Sequence, residues 1–234
     1  MGVKYGKKYK DAYEKIATAT KEEPLSLRES ISQIKDAAYA GFDETLTVDV
    51  NLGIDPQQGD QVVRGSVLLP HGTGKKVRVL AFVKGDKADE ATKAGADYVG
   101  LEDLIEKIKS GWLEFDYSVA TPDVMGKVGQ IAKILGPRGL LPNKKIGTVT
   151  FDVGTIVSEL KKGRSFFKND KSGLLHFPFG KASFSAEHLE ENLRAFAKAL
   201  SASRPPAAKG IFVKKMTISS TMGPGLSVPV EEVL

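Results

Sequence analysis

Three neighbouring hydroxyls, a thioether and a glycine lie together in Ile218-Ser219-Ser220-Thr221-Met222-Gly223-Pro224-Gly225. The stretch from Gly210 to Ile218 alternates apolar and polar residues and reads as a strand that delivers them to one sheet edge. Hydroxyls both donate to and accept from ribose 2′-OH groups and phosphates. Gly223, without a side chain, lets another molecule's backbone come close. This chemistry suits a sugar–phosphate surface better than it suits bond breaking. The same residue types also serve a plain strand end and turn.

Two further segments carry matching chemistry. Phe166-Phe167-Lys168-Asn169-Asp170-Lys171-Ser172-Gly173 reads as a hairpin that interleaves aromatics, lysines and amides, with His176 on the returning strand. Lysines contact phosphates and exposed aromatics stack on bases; the competing reading puts one aromatic inward beneath a polar turn. Gly41-Phe42-Asp43-Glu44-Thr45 lies at a helix-to-strand junction, where Phe42 read alone is a core residue.

Charge is unevenly spread. Residues 1–68 hold 9 Lys/Arg against 11 Asp/Glu, residues 69–160 hold 13 against 12, and residues 161–234 hold 12 against 6. The basic excess sits in the third that also carries the hydroxyl-rich end, and a basic field attracts polyanions. With 41% hydrophobic and 27% charged residues, the composition is that of a soluble globular protein. No apolar run approaches the ~20 residues of a membrane span, so no membrane partner is expected. Nothing at the N-terminus reads as a secretory signal. The absence of Cys excludes disulfides and thiolate metal sites and fits a reducing cytoplasm.

Enzyme motifs fail on their own terms. Gly72-Thr73-Gly74-Lys75-Lys76 resembles a phosphate loop, but Leu69 stands where the first glycine belongs and Lys76 where a hydroxyl must hold magnesium. The strand ending at Val83 leads into Lys84-Gly85-Asp86, without a dinucleotide-binding glycine pattern. His71, His176 and His188 are far apart and outside any metal motif, and no nucleophile elbow occurs. No catalytic residue, cofactor or metal is therefore expected.

The elements that must position these groups are legible in outline. Tyr5, Tyr9, Tyr13 and Ile16 have helical spacing over 3–19, and Ser26 with Glu29 forms a capping box for a helix through Leu27, Ile31, Ile34 and Ala38, closed by Gly41. Strands follow over 44–50 and 62–69. Between 69 and 160, short strands (76–83, 98–99, 117–120) alternate with helices, implying a small α/β unit with a mostly parallel sheet. The last third returns to strands at 164–168 and 174–179, a long amphipathic helix over 185–201 and the final strand. The pattern predicts a composite α+β domain of residues 1–68 and 161–234, interrupted by an inserted domain of residues 69–160. The crossings near Leu69 and Leu160 are expected to act as hinges.

A series of segments, in order along nearly the whole chain, resembles the bacterial large-subunit ribosomal protein L-one family. They include Phe42-Asp43-Glu44-Thr45, Asn51-Leu52-Gly53-Ile54-Asp55, Leu69-Pro70-His71-Gly72-Thr73-Gly74-Lys75, Ala94-Gly95-Ala96-Asp97-Tyr98-Val99-Gly100, Ala120-Thr121-Pro122-Asp123-Val124-Met125, Leu135-Gly136-Pro137-Arg138-Gly139-Leu140-Leu141-Pro142-Asn143, Asn169-Asp170-Lys171-Ser172-Gly173 and Ser220-Thr221-Met222-Gly223-Pro224. The resemblance implies a composite terminal domain with an antiparallel sheet and helices, and an inserted Rossmann-like three-layer α/β domain. It implies a non-enzymatic protein, a monomer within the ribosome, that binds large-subunit stalk RNA, assists release of exit-site tRNA, and represses translation by binding its own operon mRNA. Carried over residue by residue, RNA contact falls on Phe42, Thr45, Lys168, Lys171, His176, Thr221, Met222 and Gly223. Ser219 and Lys215 join them on the same strand. Thr221 is expected to bond the ribose–phosphate chain, Met222 to pack on a sugar or base, and the two hairpin lysines to neutralise phosphates. Gly41 stands where many relatives have lysine, which removes one phosphate contact; Lys215, where some have a small polar residue, is expected to compensate. Two other functions compete: a nucleotide-binding enzyme built on the middle domain, and an RNA chaperone acting outside the ribosome.

Overall fold

The computed structural model describes residues 6–22 and 25–233, so Tyr5 lies outside the described residues. The chain forms two compact units, one of Met1–Gly74 with Ser165–Leu234, the other of Lys75–Arg164.

The first unit holds helices α1 (Lys7–Glu22) and α2 (Leu27–Ala37) and strands β1 (Thr45–Leu52) and β2 (Arg64–Leu68). The second holds β3 (Val79–Phe82), α3 (Lys87–Lys93), β4 (Tyr98–Gly100), α4 (Glu102–Lys109), β5 (Tyr117–Ala120), the short α5 (Met125–Val128) and α6 (Ala132–Leu135), and α7 (Val153–Lys162). The chain then returns to the first unit through β6 (Arg164–Lys168), β7 (Leu174–Lys181), α8 (Ala186–Ala202), β8 (Val213–Ser220) and β9 (Gly225–Val228).

A four-stranded antiparallel sheet, in the order β7-β1-β8-β9, is the frame of the first unit. Alternation sorts its faces. Leu46, Val48, Val50 and Leu52 of β1, Leu175, Phe177 and Phe179 of β7, and Met216 and Ile218 of β8 are all buried. They meet Ile31 and Ile34 of α2 and Leu189, Leu193 and Phe196 of α8 in one core. There the Phe177 and Phe196 rings stack at 4.4 Å, and Phe167 packs edge-on to both. Burying each such side chain contributes about 1.5–3 kcal/mol. The Ser26–Glu29 capping box forms as read, with Ser26 Oγ accepting from the Glu29 N–H. The helix ends at Ala37, four residues before Gly41. Tyr13, placed by spacing on the apolar face of α1, is exposed, while Ala12 and Ile16 are buried. Buried Asn192 of α8 accepts from the His71 N–H at 3.1 Å and donates to the Gly72 carbonyl at 2.9 Å, tying the outgoing segment to this unit.

One local expectation holds only in part. The chain turns back with an isolated antiparallel bridge, Asn169–Leu175, but β6 and β7 form no ladder: β6 pairs with β2 in a separate two-stranded sheet, and β7 pairs with β1. The cause is Asn169, whose N–H donates to the Val63 carbonyl and whose Oδ1 accepts from the Val63 N–H at 2.8 Å. These bonds extend the β2–β6 ladder past Lys168. Asp170 then turns the chain, accepting from the N–H groups of Ser172 and Leu174.

In the second unit three parallel strands lie in the order β4-β3-β5. Central β3 is buried along its whole length, the pattern of a sheet covered on both faces. Leu80 and Phe82 share a core with Leu104, Ile105 and Ile108 of α4 and with Val128 and Leu135. α7 packs against β3 and β5, and α3 against α7. No helix among the described residues is long and apolar enough to cross a membrane.

Candidate nucleic-acid interface

The face of the four-stranded sheet turned away from α2 and α8 is polar. Along it Thr47 is flanked by Pro178 and Ser219, Asp49 by His176 and Thr217, and Asn51 by Leu174 and Lys215. His176, Lys215 and Asn51 are exposed. Thr47 Oγ1 and Ser219 Oγ share a hydrogen bond of 3.1 Å. His176 Nδ1 lies 2.6 Å from Asp49 Oδ1, which leaves Nε2 for an outside partner. Lys181 closes the row by donating to Thr45 Oγ1 at 2.7 Å. A sugar–phosphate chain laid on this face meets hydroxyls and ammonium groups, with Asp49 held by the imidazole beside it.

At one end of the face, Thr221, Met222 and Gly223 form the tip between β8 and β9, a strand that adds itself after the hydroxyl-rich segment. The tip is clasped from within. The Thr45 N–H donates to Thr221 Oγ1 at 2.9 Å, and the same hydroxyl donates to the Thr45 carbonyl at 3.1 Å. Its proton is therefore committed, and what it offers an outside partner is an acceptor. The Gly223 N–H donates to the Ser220 carbonyl, closing the turn.

Glu44, which sequence reasoning passed over, holds the tip against the loop that carries Phe42. Its residue is 1% exposed. One carboxylate oxygen accepts from the N–H groups of Tyr39 (3.0 Å) and Ala40 (2.8 Å), the other from the Met222 N–H (3.1 Å). Tyr39 adds a bond from its hydroxyl to the Met222 carbonyl at 2.7 Å. Burial pushes the Glu44 carboxyl up, but the neighbouring Ser220 hydroxyl and the three N–H donors outweigh it and hold it below the usual glutamate range. Ser220 Oγ is buried and closes no well-formed hydrogen bond. The signal that could have pointed to Glu44 was an acid at the first inward position of a strand, where an apolar residue belongs.

The consequence is a pair of outward apolar groups on fixed backbone. Phe42 is 56% exposed and Met222 50% exposed, so Phe42 is not the core residue it reads as alone. Glycine at 223 has an internal reason as well: a Cβ there would stand 2.4 Å from Ser220 Oγ.

The sequence-expected residues do not all gather in one place. Thr45, Ser219, Thr221, Met222 and Gly223 share one end of the sheet, His176 the middle and Lys215 the far end. Lys171 lies beyond that far end, in the turn whose Gly173 carbonyl accepts from the Leu52 N–H. Thr45 to Asn51 spans roughly 20 Å of strand. Lys168 is exposed but belongs to the two-stranded sheet. Phe167, half of the expected aromatic pair, is in the core. Among the described residues, no group of three or more His, Cys, Asp or Glu could hold a metal.

Residues 34–224 match the model of the Ribosomal protein L1p/L10e family. The large ribosomal subunit protein uL1 of Maridesulfovibrio salexigens is 51% identical over 96% of this chain and 94% of its own length. The protein of the same name from Nitratidesulfovibrio vulgaris is 53% identical over the same shares. The matched span takes in the Glu44 clasp, the open sheet face and the tip through Pro224, and the chain belongs to this family of structural, non-enzymatic ribosomal proteins.

Proposed function

We propose that the chain is a protein of the large ribosomal subunit, in the cytoplasm, that binds stalk ribosomal RNA through the open sheet face and its clasped tip. The observation that carries this reading is the pairing of exposed Phe42 and Met222 on backbone fixed by Glu44, at the end of a row of hydroxyls and cations. Hydroxyls and cations fit a ribose–phosphate chain, and the two apolar side chains fit a sugar or base face. In this reading Thr45, His176, Lys215, Ser219 and Thr221 contact the backbone of the RNA, and Lys168 and Lys171 extend its electrostatic reach.

The unit of Met1–Gly74 with Ser165–Leu234 is the RNA-binding domain of this reading, and the unit of Lys75–Arg164 an inserted Rossmann-like domain, with crossings a few residues later than the 69–160 read from sequence. The parallel order β4-β3-β5 with helices on both sides supports that description. The protein acts as a monomer in the ribosome, assists release of exit-site tRNA, and represses its operon by binding a similar fold in its mRNA.

The test is binding of the full chain to a stalk RNA fragment and to a scrambled hairpin, in moderate salt, for wild type, Met222→Ala and Thr221→Ala. Preference for the stalk RNA, reduced by ~1–3 kcal/mol in both variants, is expected. Equal binding to both RNAs, indifferent to both substitutions, would mean that a basic face merely attracts polyanions. Co-sedimentation with large subunits separates the ribosomal role from that of a free RNA chaperone.

A further inference from the structure

The second unit carries a cleft that the RNA interface does not use. It has a volume of about 700 Å³, within the roughly 300–1,000 Å³ of small-ligand sites. Its walls come from the loops that follow the three parallel strands: Lys84 to Lys87 after β3, Leu101 after β4, and Thr121 to Val124 after β5. β4 and β5 lie on opposite sides of β3, so the connections leaving β3 and β5 diverge at this edge. In open α/β sheets such a divergence at the carboxyl ends of the strands leaves a ligand crevice.

The lining is specific in chemistry. Phe151 is 58% exposed and offers a flat apolar face on one side. Thr121 stands on the cleft wall at 4% exposure, and its hydroxyl does not cap the helical turn that follows. Three lysines line the cleft, but Lys87 is held by Glu90 at 2.5 Å and Lys127 by Glu102. Lys84 forms no direct ion pair among the described residues, although its charge is felt by Glu102. Asp86 and Asp123 add two acceptors.

An inorganic anion does not fit this set, because the two aspartates oppose it and the aromatic is irrelevant to it. A ligand with a flat ring, hydroxyl donors and a single anionic group uses every part. We propose that this cleft binds one nucleotide. Its base lies on Phe151, its ribose hydroxyls face Asp86 or Asp123, and its phosphate meets Lys84. Thr121 bonds the polar edge that reaches the floor. The missing glycine-rich cradle limits the strength of phosphate binding, so binding is weak for a free nucleotide and gains from attachment to a chain. The nucleotide is either free or one unstacked residue of a single-stranded RNA, and the chemistry at the cleft is the same.

The test titrates AMP, ribose 5-phosphate and single-stranded penta-adenylate into the full chain, following backbone amide resonances. AMP is expected to shift Lys84 to Lys87, Thr121 and Phe151 together, and ribose 5-phosphate to have little effect. Phe151→Ala removes an exposed side chain and is expected to leave folding intact while weakening AMP at least ~5-fold, the low end of base–aromatic stacking. Lys84→Ala should weaken AMP but not adenosine. Penta-adenylate shifting the same amides at about tenfold lower concentration identifies an RNA strand as the source; equal concentrations identify the free nucleotide. The proposal is overturned if no cleft amide moves at about 10 mM AMP. It is equally overturned if Phe151→Ala binds like wild type, or if ribose 5-phosphate matches AMP.

Discussion

The two sheets of this protein offer function in different places. The antiparallel sheet buries one face against α2 and α8 and leaves the other polar. The parallel sheet buries its central strand on both faces and leaves edge strand β4 partly exposed. A face some 20 Å long suits an extended partner, whereas a crevice at strand ends suits a single small group. They also differ in how they are held. The tip of the antiparallel sheet is fixed by the hydrogen bonds of Glu44, Tyr39 and Thr221, whereas the crevice is lined by side chains that reach into it from separate loops. One site is built by spending polar groups internally, the other by presenting them.

The largest effect should come from dismantling the clasp. Glu44→Ala leaves the Tyr39, Ala40 and Met222 N–H groups without their acceptor. At the usual cost of stranded buried donors it should destabilise the protein by about 3 kcal/mol. Urea unfolding measures this, and stalk-RNA affinity should fall with it. A variant as stable as wild type would mean that water replaces the carboxylate freely and that the tip is not held from within.

Next in size is Gly223→Ala, expected to cost ~1–3 kcal/mol because its Cβ meets Ser220 Oγ. Ser220→Ala removes that oxygen, which closes no well-formed hydrogen bond but helps hold the Glu44 carboxyl down; the next nearest atom to the new Cβ, Ser220 Cβ, is 3.6 Å away. The double variant should therefore recover part of the lost stability, a coupling that a double-mutant cycle isolates. Its RNA affinity then separates two roles of Gly223. Affinity restored along with stability assigns the glycine to internal packing; affinity still lost assigns it to close approach of RNA.

Acid should weaken both units for the same reason. Asp97 in the second unit is pushed up by burial but pulled down further by Lys161 and the Val79 N–H, so it too lies below the usual aspartate range. A carboxyl with a lowered folded-state pKa contributes stability that is present above its unfolded value and lost as pH falls through the folded one. Unfolding measured from neutral pH to below about 4 should show smaller acid losses in Glu44→Gln and in Asp97→Asn than in wild type. An unchanged slope in either variant would remove that carboxylate from the account.

Much of this was legible in residue patterns. Period-two alternation found β1 and β8, and the Ser26–Glu29 spacing found the start of α2. Those signals are local. What escaped was set by partners distant in sequence. Asn169 bonds Val63 and so splits the expected β6–β7 hairpin. Glu44 shows its role only once the tip arrives from 178 residues away. The hydroxyl of Thr221 looked free for RNA, yet its proton goes to the Thr45 carbonyl. The crevice was illegible because its parts, Lys84, Thr121 and Phe151, belong to no spaced motif and meet only when three strands align.

Smaller effects test the open face itself. Lys215→Ala touches no internal bond and should leave stability within ~0.5 kcal/mol. It should lower the slope of log affinity against log salt by about 0.7–0.9, one phosphate contact. Loss of affinity without change of slope would mean that Lys215 packs against RNA rather than neutralising it.

The smallest structural change is Gly41→Lys. A Cβ at Gly41 meets nothing within 4 Å, and its backbone is not in the left-handed region. The new side chain therefore enters open space beside exposed Phe42, and stability should stay within ~0.5 kcal/mol. If RNA passes the Phe42 end of the face, the added ammonium gains a phosphate and the salt slope steepens by about the amount that Lys215→Ala removes. The pair of variants thus reads the two ends of one surface with one observable. A slope that responds to Lys215 but not to Gly41→Lys places the phosphate chain at the far end only. Phe42 and Met222 are then left to meet a base or sugar without a phosphate beside them.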